Sequence, residues 1–321
     1  MNKCFGLQII FEFVDGPYGG GNQFLKALAA CLDSRGALAR SPKDATAFLC
    51  NSHHEYARMN KLHHRYPGMP VVQRVDGPIS LITNVDDPRE KQVHQIANLA
   101  DGFIFQSRFS FDANIEFGFP LRGKPYMIVH NAPDSAIFPT TPVRLSTEQD
   151  TKLRIVATSW SGNPQKGFDV YEWLDNNLDF DKYEMCFIGN TPVKFKNISL
   201  IPPVDSSSLS RLLKEYHIYI TASLNDPCSN ALIEAIHCGL VPVARNSGGH
   251  PELVGNPRLL FNKPEEIPRI LALFEGGGVQ YSSSLPDIER VTTQYVDFIG
   301  SVLPSYVPTG CLQRLRSYFP F

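Results

Sequence analysis

The chain has 321 residues, of which 43% are hydrophobic, and its formal net charge is -2. This length and apolar content suit two domains with a core each, and they exclude a disordered or fibrous protein. The near-neutral charge argues against a general nucleic-acid binder, which would need a strongly basic face, and it favours a small-molecule ligand.

Strand-like and helical runs alternate through the first part of the chain. The run GLQIIFEFV is followed by a glycine loop and a helical run, and the later strand-like runs are TAFLCN, PVVQRV, DGFIFQ and YMIVHN. Such alternation indicates a parallel sheet covered by helices. We therefore predict a first Rossmann-like domain over residues 1–140, ending in a linker rich in Pro, Ser and Thr near 133–151.

The alternation restarts with LRIVATS and continues through EMCFIGN, HIYITA, VPVA and RLLF. We predict a second Rossmann-like domain over 151–282, followed by a C-terminal helix and tail over 283–321 that cross back to the first domain. The predicted fold class is α/β, with two doubly wound domains facing each other across a cleft. Ligands of such sheets bind at the carboxyl ends of the strands.

Seven cysteines, an odd number without a C-x-x-C pair, are predicted to be reduced thiols. No apolar run approaches the roughly 20 residues needed to span a bilayer, so we predict a cytoplasmic protein. The tail GCLQRLRSYFPF combines two arginines with aromatic side chains. Two interpretations of this tail stay open, namely peripheral contact with an anionic membrane and packing against the first domain.

The most informative stretch is 225–254, NDPCSNALIEAIHCGLVPVARNSGGHPELV. Asp226 and Pro227 are predicted to be the N-cap and first residue of a helix that ends at Gly239. The helix is apolar except for one stripe, which contains Asn230, Glu234 and His237. A carboxylate on a largely buried helix needs water, a partner or a ligand, because an unpaired buried charge is costly. From this stretch alone, a solvated stripe with Asp226 as a simple cap is an equally good interpretation.

Three further loops follow predicted strands. Glycines 19–21 open the first helix, where backbone can approach an anion, although a tight turn is the alternative. Lys166 follows the first strand of the second domain and is placed to hold a diphosphate, or else is an exposed surface lysine. Asp76 follows VVQRV and either lines the cleft or makes a turn.

Several other chemistries are not supported. The histidine pairs at 53–54 and 63–64 lack the spacing of a metal site within one helix, and no cysteine accompanies them. There is no G-x-S-x-G motif, no kinase signature and no D-x-D motif after an apolar run. We predict no metal and no cofactor, so lysine, arginine, helix N-termini and backbone amides would have to neutralise any nucleotide phosphate.

Together these motifs resemble the retaining glycosyltransferases of family 4, the glycosyl transferases group 1, which have the GT-B fold. The family carries two acidic residues, separated by seven others, that correspond to Asp226 and Glu234. GLVPVARNSGGHPELV is similar to its GxPVVAxxxGGxxE stretch, and Lys166 with Gly167 is similar to its Lys-Gly pair. VHNAPDSAIF and ADGFIFQSRFS resemble its hinge and ADxxIxxS segments, and glycines 19–21 match its first glycine loop.

The resemblance implies a nucleoside-diphosphate-sugar donor and transfer without metal, with retention of anomeric configuration. It implies that Glu234 binds the ribose hydroxyls, that Asp226 faces the donor sugar and that Lys166 neutralises the diphosphate. The expected catalytic residues are Asp76, Asp226 and Lys166, and the expected donor-binding residues are Gly20, Gly21, Ser161, Lys166, Ser229, Asn230 and Glu234.

Three positions depart from the family pattern. Ser161 stands where the family has an arginine, and Arg74, Arg245 or His250 are the candidates to replace that cation. Asp76 stands where the family has a histidine, and Asp226 stands where its acidic motif begins with a glutamate, which is one methylene longer. We predict a glycosyltransferase of polysaccharide biosynthesis that acts on a glycan or lipid-linked acceptor, with no nucleic-acid partner. Two alternatives stay open, a catalytically inactive nucleotide-sugar-binding module of a polysaccharide assembly complex and a GT-B fold sugar-nucleotide epimerase.

Overall fold

The computed structural model describes five stretches of the chain, residues 5–16, 19–83, 86–143, 152–274 and 281–303. By their contacts the described residues form two units. The first unit takes those within 1–14, 24–131 and 286–321, and the second takes those within 15–23 and 132–285. The glycine loop, which lies inside the predicted first domain, therefore groups with the second unit.

The first unit is built on a parallel sheet in the order β1-β2-β3-β4-β5. These strands are Leu7–Ile10, Ala47–Asn51, Val71–Val75, Gly102–Phe105 and Tyr126–Ile128. Every residue of the first four strands is buried, as expected for a parallel sheet that helices cover. The helices that connect the strands are α1 (Gly20–Ser34), α2 (Tyr56–Arg65), α3 (Ile79–Thr83), α4 (Arg89–Leu99) and α5 (Arg108–Glu116).

The strand order of this first sheet reverses at β1. After α1 the chain returns beside β1 in one parallel bridge between Leu7 and Leu38, on the side away from β2, and only then crosses to β2. The bridge is held by the Leu7 N–H donating to the Ala37 carbonyl at 2.8 Å and by the Ala39 N–H donating to the Leu7 carbonyl at 2.9 Å. The reversal makes the carboxyl ends of β1 and β2 a topological switch point, where doubly wound sheets bind ligands.

The second unit is built on a parallel sheet in the order β11-β10-β9-β6-β7-β8. Its strands are β6 (Leu153–Ser159), β7 (Tyr183–Gly189), β8 (Ser199–Ile201), β9 (Ile218–Thr221), β10 (Val241–Arg245) and β11 (Leu260–Phe261). Its helices are α6 (Phe168–Asn177), α7 (Ser206–Leu213), α8 (Asn230–His237), α9 (His250–Val254) and α10 (Ile267–Leu271). Since β6 pairs with both β7 and β9, the carboxyl ends of β6 and β9 border a second switch point.

The last described helix, α11 (Ile288–Val302), belongs to the first unit. Phe298 and Val302 pack against Gly102 of β4, where an added Cβ would lie 3.1 Å from the phenyl ring. Arg35, directly after α1, donates to the Glu289 carbonyl at 2.7 Å. The tail at 310–321, predicted to contact a membrane or the first domain, lies outside the described residues.

The structure also bears on the expected lack of membrane-spanning helices and on the expected reduced cysteines. No helix there combines the length and the apolar character that a membrane crossing requires. None of the five cysteines within the described ranges forms a disulfide, and four of them are buried.

Candidate functional site

Two loops meet at the carboxyl ends of β6 and β9 in the second unit. One loop follows β6 and ends at Gly167, and the other follows β9 and leads into α8. The Leu224 N–H of the second loop donates to the Gln165 carbonyl of the first at 2.7 Å. This contact joins the two loops at the switch point.

Gly167 allows the loops to approach this closely. Its φ of +72° lies in the left-handed region, and a Cβ there would lie 2.2 Å from the Ala222 carbonyl oxygen. Only glycine fits such a backbone conformation and such a contact without strain. The glycine of the Lys-Gly pair therefore brings Lys166 to the end of β9.

Lys166 and Asp226 form an ion pair across these loops. The Lys166 Nζ lies 3.2 Å from the Asp226 Oδ2, with side-chain exposures of 34% and 15% respectively. Burial opposes ionisation of Asp226, but the charge of Lys166, the hydrogen bond from Lys166 and the Cys228 N–H together hold its pKa below the usual value. Asp226 is therefore an anion at neutral pH, and the structure brings together two of the predicted site residues.

The predicted helix start at Asp226 is wrong. The helix α8 begins at Asn230 with Ser229 at its N-cap, and the Ser229 side chain makes no capping hydrogen bond. The Asp226 carboxylate instead accepts hydrogen bonds from Lys166 and from the Cys228 N–H, and its carbonyl accepts the Gly249 N–H at 2.9 Å. The carboxylate and the carbonyl of Asp226, which a helix cap would use, are thus bonded to one nearby N–H group and to two residues distant in sequence.

Glu234 lies on α8, one turn after Asn230, and is partly exposed. Burial raises the pKa of its carboxyl group to about 8. Its carboxyl group has no ion-pair partner within the described stretches. The predicted polar stripe is shorter than expected, because His237 is buried and its Nδ1 lies 3.1 Å from the Thr140 Oγ1. Glu234 is thus mainly a neutral acid at pH 7, available to a ligand.

The glycine loop contacts the N-terminus of α8. A Cβ at Gly20 would lie 2.4 Å from the Asn230 Nδ2, so only glycine permits this approach. The loop and α8 belong to the same unit, and two predicted donor-binding residues are thereby adjacent. Gly21 follows in α1 and is partly exposed.

Ser161 has a local structural role. It is exposed, its hydroxyl accepts the Asn163 N–H at 3.1 Å, and its carbonyl accepts the Ser159 hydroxyl at 2.7 Å. These bonds shape the loop before Lys166. Ser229 is buried at the N-cap of α8, where its backbone precedes the first helical N–H groups.

The turn between β10 and α9 packs on Asp226, which sequence reasoning did not foresee. Gly248 has a φ of +62°, and a Cβ there would lie 2.4 Å from the Asp226 carbonyl oxygen. His250 follows and is fully buried, with its Nδ1 3.0 Å from the Arg245 carbonyl oxygen. The available signal was the histidine directly after the Gly-Gly pair.

The first unit has its own polar cluster after β2 and β3. The fully buried Arg74 donates to the Asp76 Oδ1 at 2.7 Å and to the Asn131 Oδ1 at 2.8 Å, and it also donates to Asn51. Its guanidinium lies 4.8 Å from the centre of the Phe24 ring. Asp76, with 27% of its side chain exposed, is thus held by a buried cation while part of its carboxylate faces solvent.

Two histidines border the first switch point. The rings of His53 and His54 lie 4.1 Å apart between centroids, and His54 lies 5.0 Å from Phe11 after β1. Burial lowers the pKa of His53 to about 4 and also lowers that of His54, so both rings are neutral at pH 7. In the described part of the chain, no group of three or more His, Cys, Asp or Glu side chains is arranged to hold a metal ion.

Part of the chain matches a known protein family. Residues 179–273 match the family model of the glycosyl transferases group 1, a segment that includes Asp226, Glu234 and the Gly-Gly turn. The predicted resemblance to the group 1 glycosyltransferases is confirmed. No curated protein matches the chain.

Solved structures match almost the whole chain. It is similar to sucrose-phosphate synthase from Thermosynechococcus elongatus, with a TM-score of 0.66, 12% identity and 98% of each chain covered. It is similar to Anabaena HepE in complex with UDP and glucose, with a TM-score of 0.62 and 13% identity over 98% of this chain and 99% of that chain. The chain has the GT-B fold. It is also similar to the trehalose-6-phosphate protein from E. coli bound with UDP-2-fluoro glucose, with a TM-score of 0.59, 10% identity and 97% of each chain covered.

Proposed function

We propose that this chain is a glycosyltransferase that moves a sugar from a nucleoside-diphosphate-sugar donor to a glycan or lipid-linked acceptor. The proposed transfer retains the anomeric configuration and needs no metal ion. The observation that carries the proposal is the Lys166–Asp226 ion pair at the switch point, in the loop that leads into α8. Glu234 lies on this helix, one turn after its first residue.

The donor nucleotide is assigned to the N-terminal end of α8. The first N–H groups of a helix lack intrahelical partners and favour negative charge, so they suit a diphosphate together with the Lys166 ammonium. Glu234 lies about 6 Å further along the helix axis than Asn230, at a rise of about 1.5 Å per residue, which suits the ribose of a nucleotide whose diphosphate is at the N-terminus. Gly20 supports this assignment because it brings backbone to Asn230.

The proposed catalytic effect is electrostatic. Negative charge grows on the diphosphate as the bond to the sugar breaks, and a fixed cation beside it lowers the energy of that transition state. The ion pair fixes the Lys166 ammonium in position before the donor binds. Asp226, an anion with its own fixed partners, is assigned to accept a hydrogen bond from the donor sugar.

Asp76 is assigned to the acceptor. Its carboxylate is oriented by the buried Arg74 and remains partly exposed, so it can accept a hydrogen bond from an acceptor hydroxyl. Because neutral histidines border the same edge of this unit, that edge suits uncharged polyols more than anionic acceptors. This polarity supports a glycan or the glycan portion of a lipid-linked acceptor.

UDP-sugars are the first donors to test, because two of the similar proteins are described with UDP or UDP-2-fluoro glucose. A thermal-shift panel of UDP, GDP, ADP, CMP and dTDP with their sugar conjugates would compare wild type with Glu234→Ala. A ligand at 100 times its Kd stabilises by about 2.7 kcal/mol. A shift with one base that the variant loses supports the assignment, and no shift with any ligand contradicts it.

Product analysis then separates the reactions. NMR of the product would show a new glycosidic bond with the donor's anomeric configuration if the proposal is correct. Binding without turnover would instead identify an inactive binding module, and an epimerised nucleotide sugar would identify an epimerase. Inversion of the anomeric centre would contradict retention.

We also propose a cytoplasmic enzyme of polysaccharide biosynthesis, with peripheral membrane contact through the tail. The arginines and aromatic side chains of residues 310–321 support this contact. Co-sedimentation with anionic liposomes should be strong for the full chain and lost when residues 311–321 are deleted. No sedimentation of the full chain would contradict the membrane contact.

A further inference from the structure

His250 lies beside the Lys166–Asp226 pair, and the donor-binding scheme above gives it no role. The backbone just before it is fixed on Asp226, because the Gly249 N–H donates to the Asp226 carbonyl at 2.9 Å and Gly248 packs directly on that carbonyl. The charges of Asp226 and Lys166 both act on the His250 ring. Its placement at the switch point is therefore set by backbone packing.

The hydrogen bond to Arg245 determines the tautomer of His250. A carbonyl oxygen can only accept, so the Nδ1 that lies 3.0 Å from the Arg245 carbonyl carries the proton. The Nε2 atom is buried and has no partner in the described residues. In the neutral ring this Nε2 is a bare hydrogen-bond acceptor, and a buried acceptor without a donor is costly.

The ring is neutral at pH 7. Burial lowers the pKa of His250 and the Lys166 charge acts in the same direction, while the Asp226 charge and the Arg245 carbonyl oppose them without reversing the shift. No proton for Nε2 comes from the nearest charged groups, because Asp226 is ionised and the Lys166 ammonium is directed at Asp226. Among the described residues the Nε2 thus has no donor, and a ligand that binds at this switch point can supply one.

Few groups of a donor nucleotide sugar can donate a hydrogen bond to the Nε2 of His250. Diphosphate oxygens carry no proton at neutral pH, so they cannot donate to a bare imidazole nitrogen. Sugar hydroxyls can donate. Asp226 and His250 offer two adjacent acceptors, one charged and one neutral, and such a pair suits a polyol.

We propose that the Nε2 of His250 accepts a hydrogen bond from a hydroxyl of the donor's sugar and so contributes to the choice of sugar. This inference rests on the proposed function, because it assumes that a nucleotide sugar occupies the switch point. It makes His250 a specificity-determining residue that acts on the sugar and not on the nucleotide.

The test compares a nucleoside diphosphate with its sugar conjugate by calorimetry, using UDP with UDP-glucose and GDP with GDP-mannose. His250→Asn keeps an N–H for the Arg245 carbonyl but lacks the Nε2 acceptor, whereas His250→Gln places an amide oxygen near that position. We expect His250→Asn to leave the Kd of the diphosphate within about twofold and to raise that of the conjugate about tenfold, the value of one hydrogen bond. His250→Gln should recover part of this loss.

The possible results separate the two proposals. Equal weakening of diphosphate and conjugate would assign His250 a purely structural role and overturn the inference, as would unchanged affinity for both. Thermal unfolding of each unliganded variant shows whether the fold is retained. If wild type binds no nucleotide or sugar conjugate of the thermal-shift panel, the proposed function fails and the inference fails with it; if it binds one of them, the same pair of diphosphate and conjugate is used for the His250 variants.

Discussion

Replacing Gly167 with alanine should destabilise the second unit by about 3 kcal/mol. The left-handed φ of +72° costs an L-residue about 1–2 kcal/mol. The added Cβ would lie 2.2 Å from the Ala222 carbonyl oxygen, and relieving an overpacked contact typically costs about 1–3 kcal/mol. For a domain of this size the melting temperature should fall by about 6–12 °C.

Two other glycines of the same unit separate these contributions. Gly255 has a φ of +64° with nothing within 4 Å of an added Cβ, so Gly255→Ala should cost only the backbone term of about 1–2 kcal/mol. Gly162 lies in the same loop as Gly167 but has neither a positive φ nor a close neighbour, so Gly162→Ala should be nearly neutral. Urea unfolding followed by circular dichroism measures all three. Equal losses for Gly167→Ala and Gly255→Ala would refute the importance of the Ala222 contact.

Three further changes test the charged groups. Because the pKa of Glu234 is about 8, roughly one-tenth of its carboxyl groups are ionised at pH 7. If the ionised form binds the ribose, the nucleotide affinity measured by calorimetry should rise about tenfold between pH 7 and pH 9. The same rise in Glu234→Gln would contradict this assignment. Lys166→Met should lower the rate of transfer about 100-fold or more in a product assay, while a change below threefold would exclude the assigned role. Arg74→Met should lower the free energy of unfolding by about 3 kcal/mol because it leaves buried polar partners unpaired, whereas the exposed Arg108→Met, its control, should change it by less than about 1 kcal/mol.

Much of the fold was predictable because the strands are short, buried and apolar. The run LRIVATS corresponds residue for residue to β6, Leu153–Ser159, since a parallel strand covered on both faces needs continuous apolar character. The Lys-Gly pair was also visible in the sequence. The reason for the glycine could not be predicted from the sequence, because the carbonyl that makes Gly167 necessary belongs to Ala222, in another loop.

The parts that were not predictable depend on distant contacts. Asp226 followed by Pro227 has a strong local signature of a helix start, but Lys166, 60 residues earlier, holds its carboxylate, and Gly249 holds its carbonyl. The glycine loop follows the first strand in sequence, yet its contacts group it with the second unit. Local helix propensity predicts the start of a helix only weakly, and tertiary contacts such as these override it.

The two carboxylates of the acidic motif have opposite pKa shifts, which bears on whether a metal takes part. The charge of Lys166 lowers the pKa of Asp226 against the effect of burial, whereas burial raises the pKa of Glu234 to about 8. Such divergence suits groups with different tasks. In the described residues of the motif, the one anion is thus already neutralised by Lys166, and Glu234 is largely protonated. A Mg²⁺ ion brought by a nucleotide prefers ionised carboxylates and would have to displace Lys166 to gain one. We therefore expect transfer to proceed at the same rate in EDTA, and a tenfold loss restored by Mg²⁺ would show that the ion pair opens for a metal.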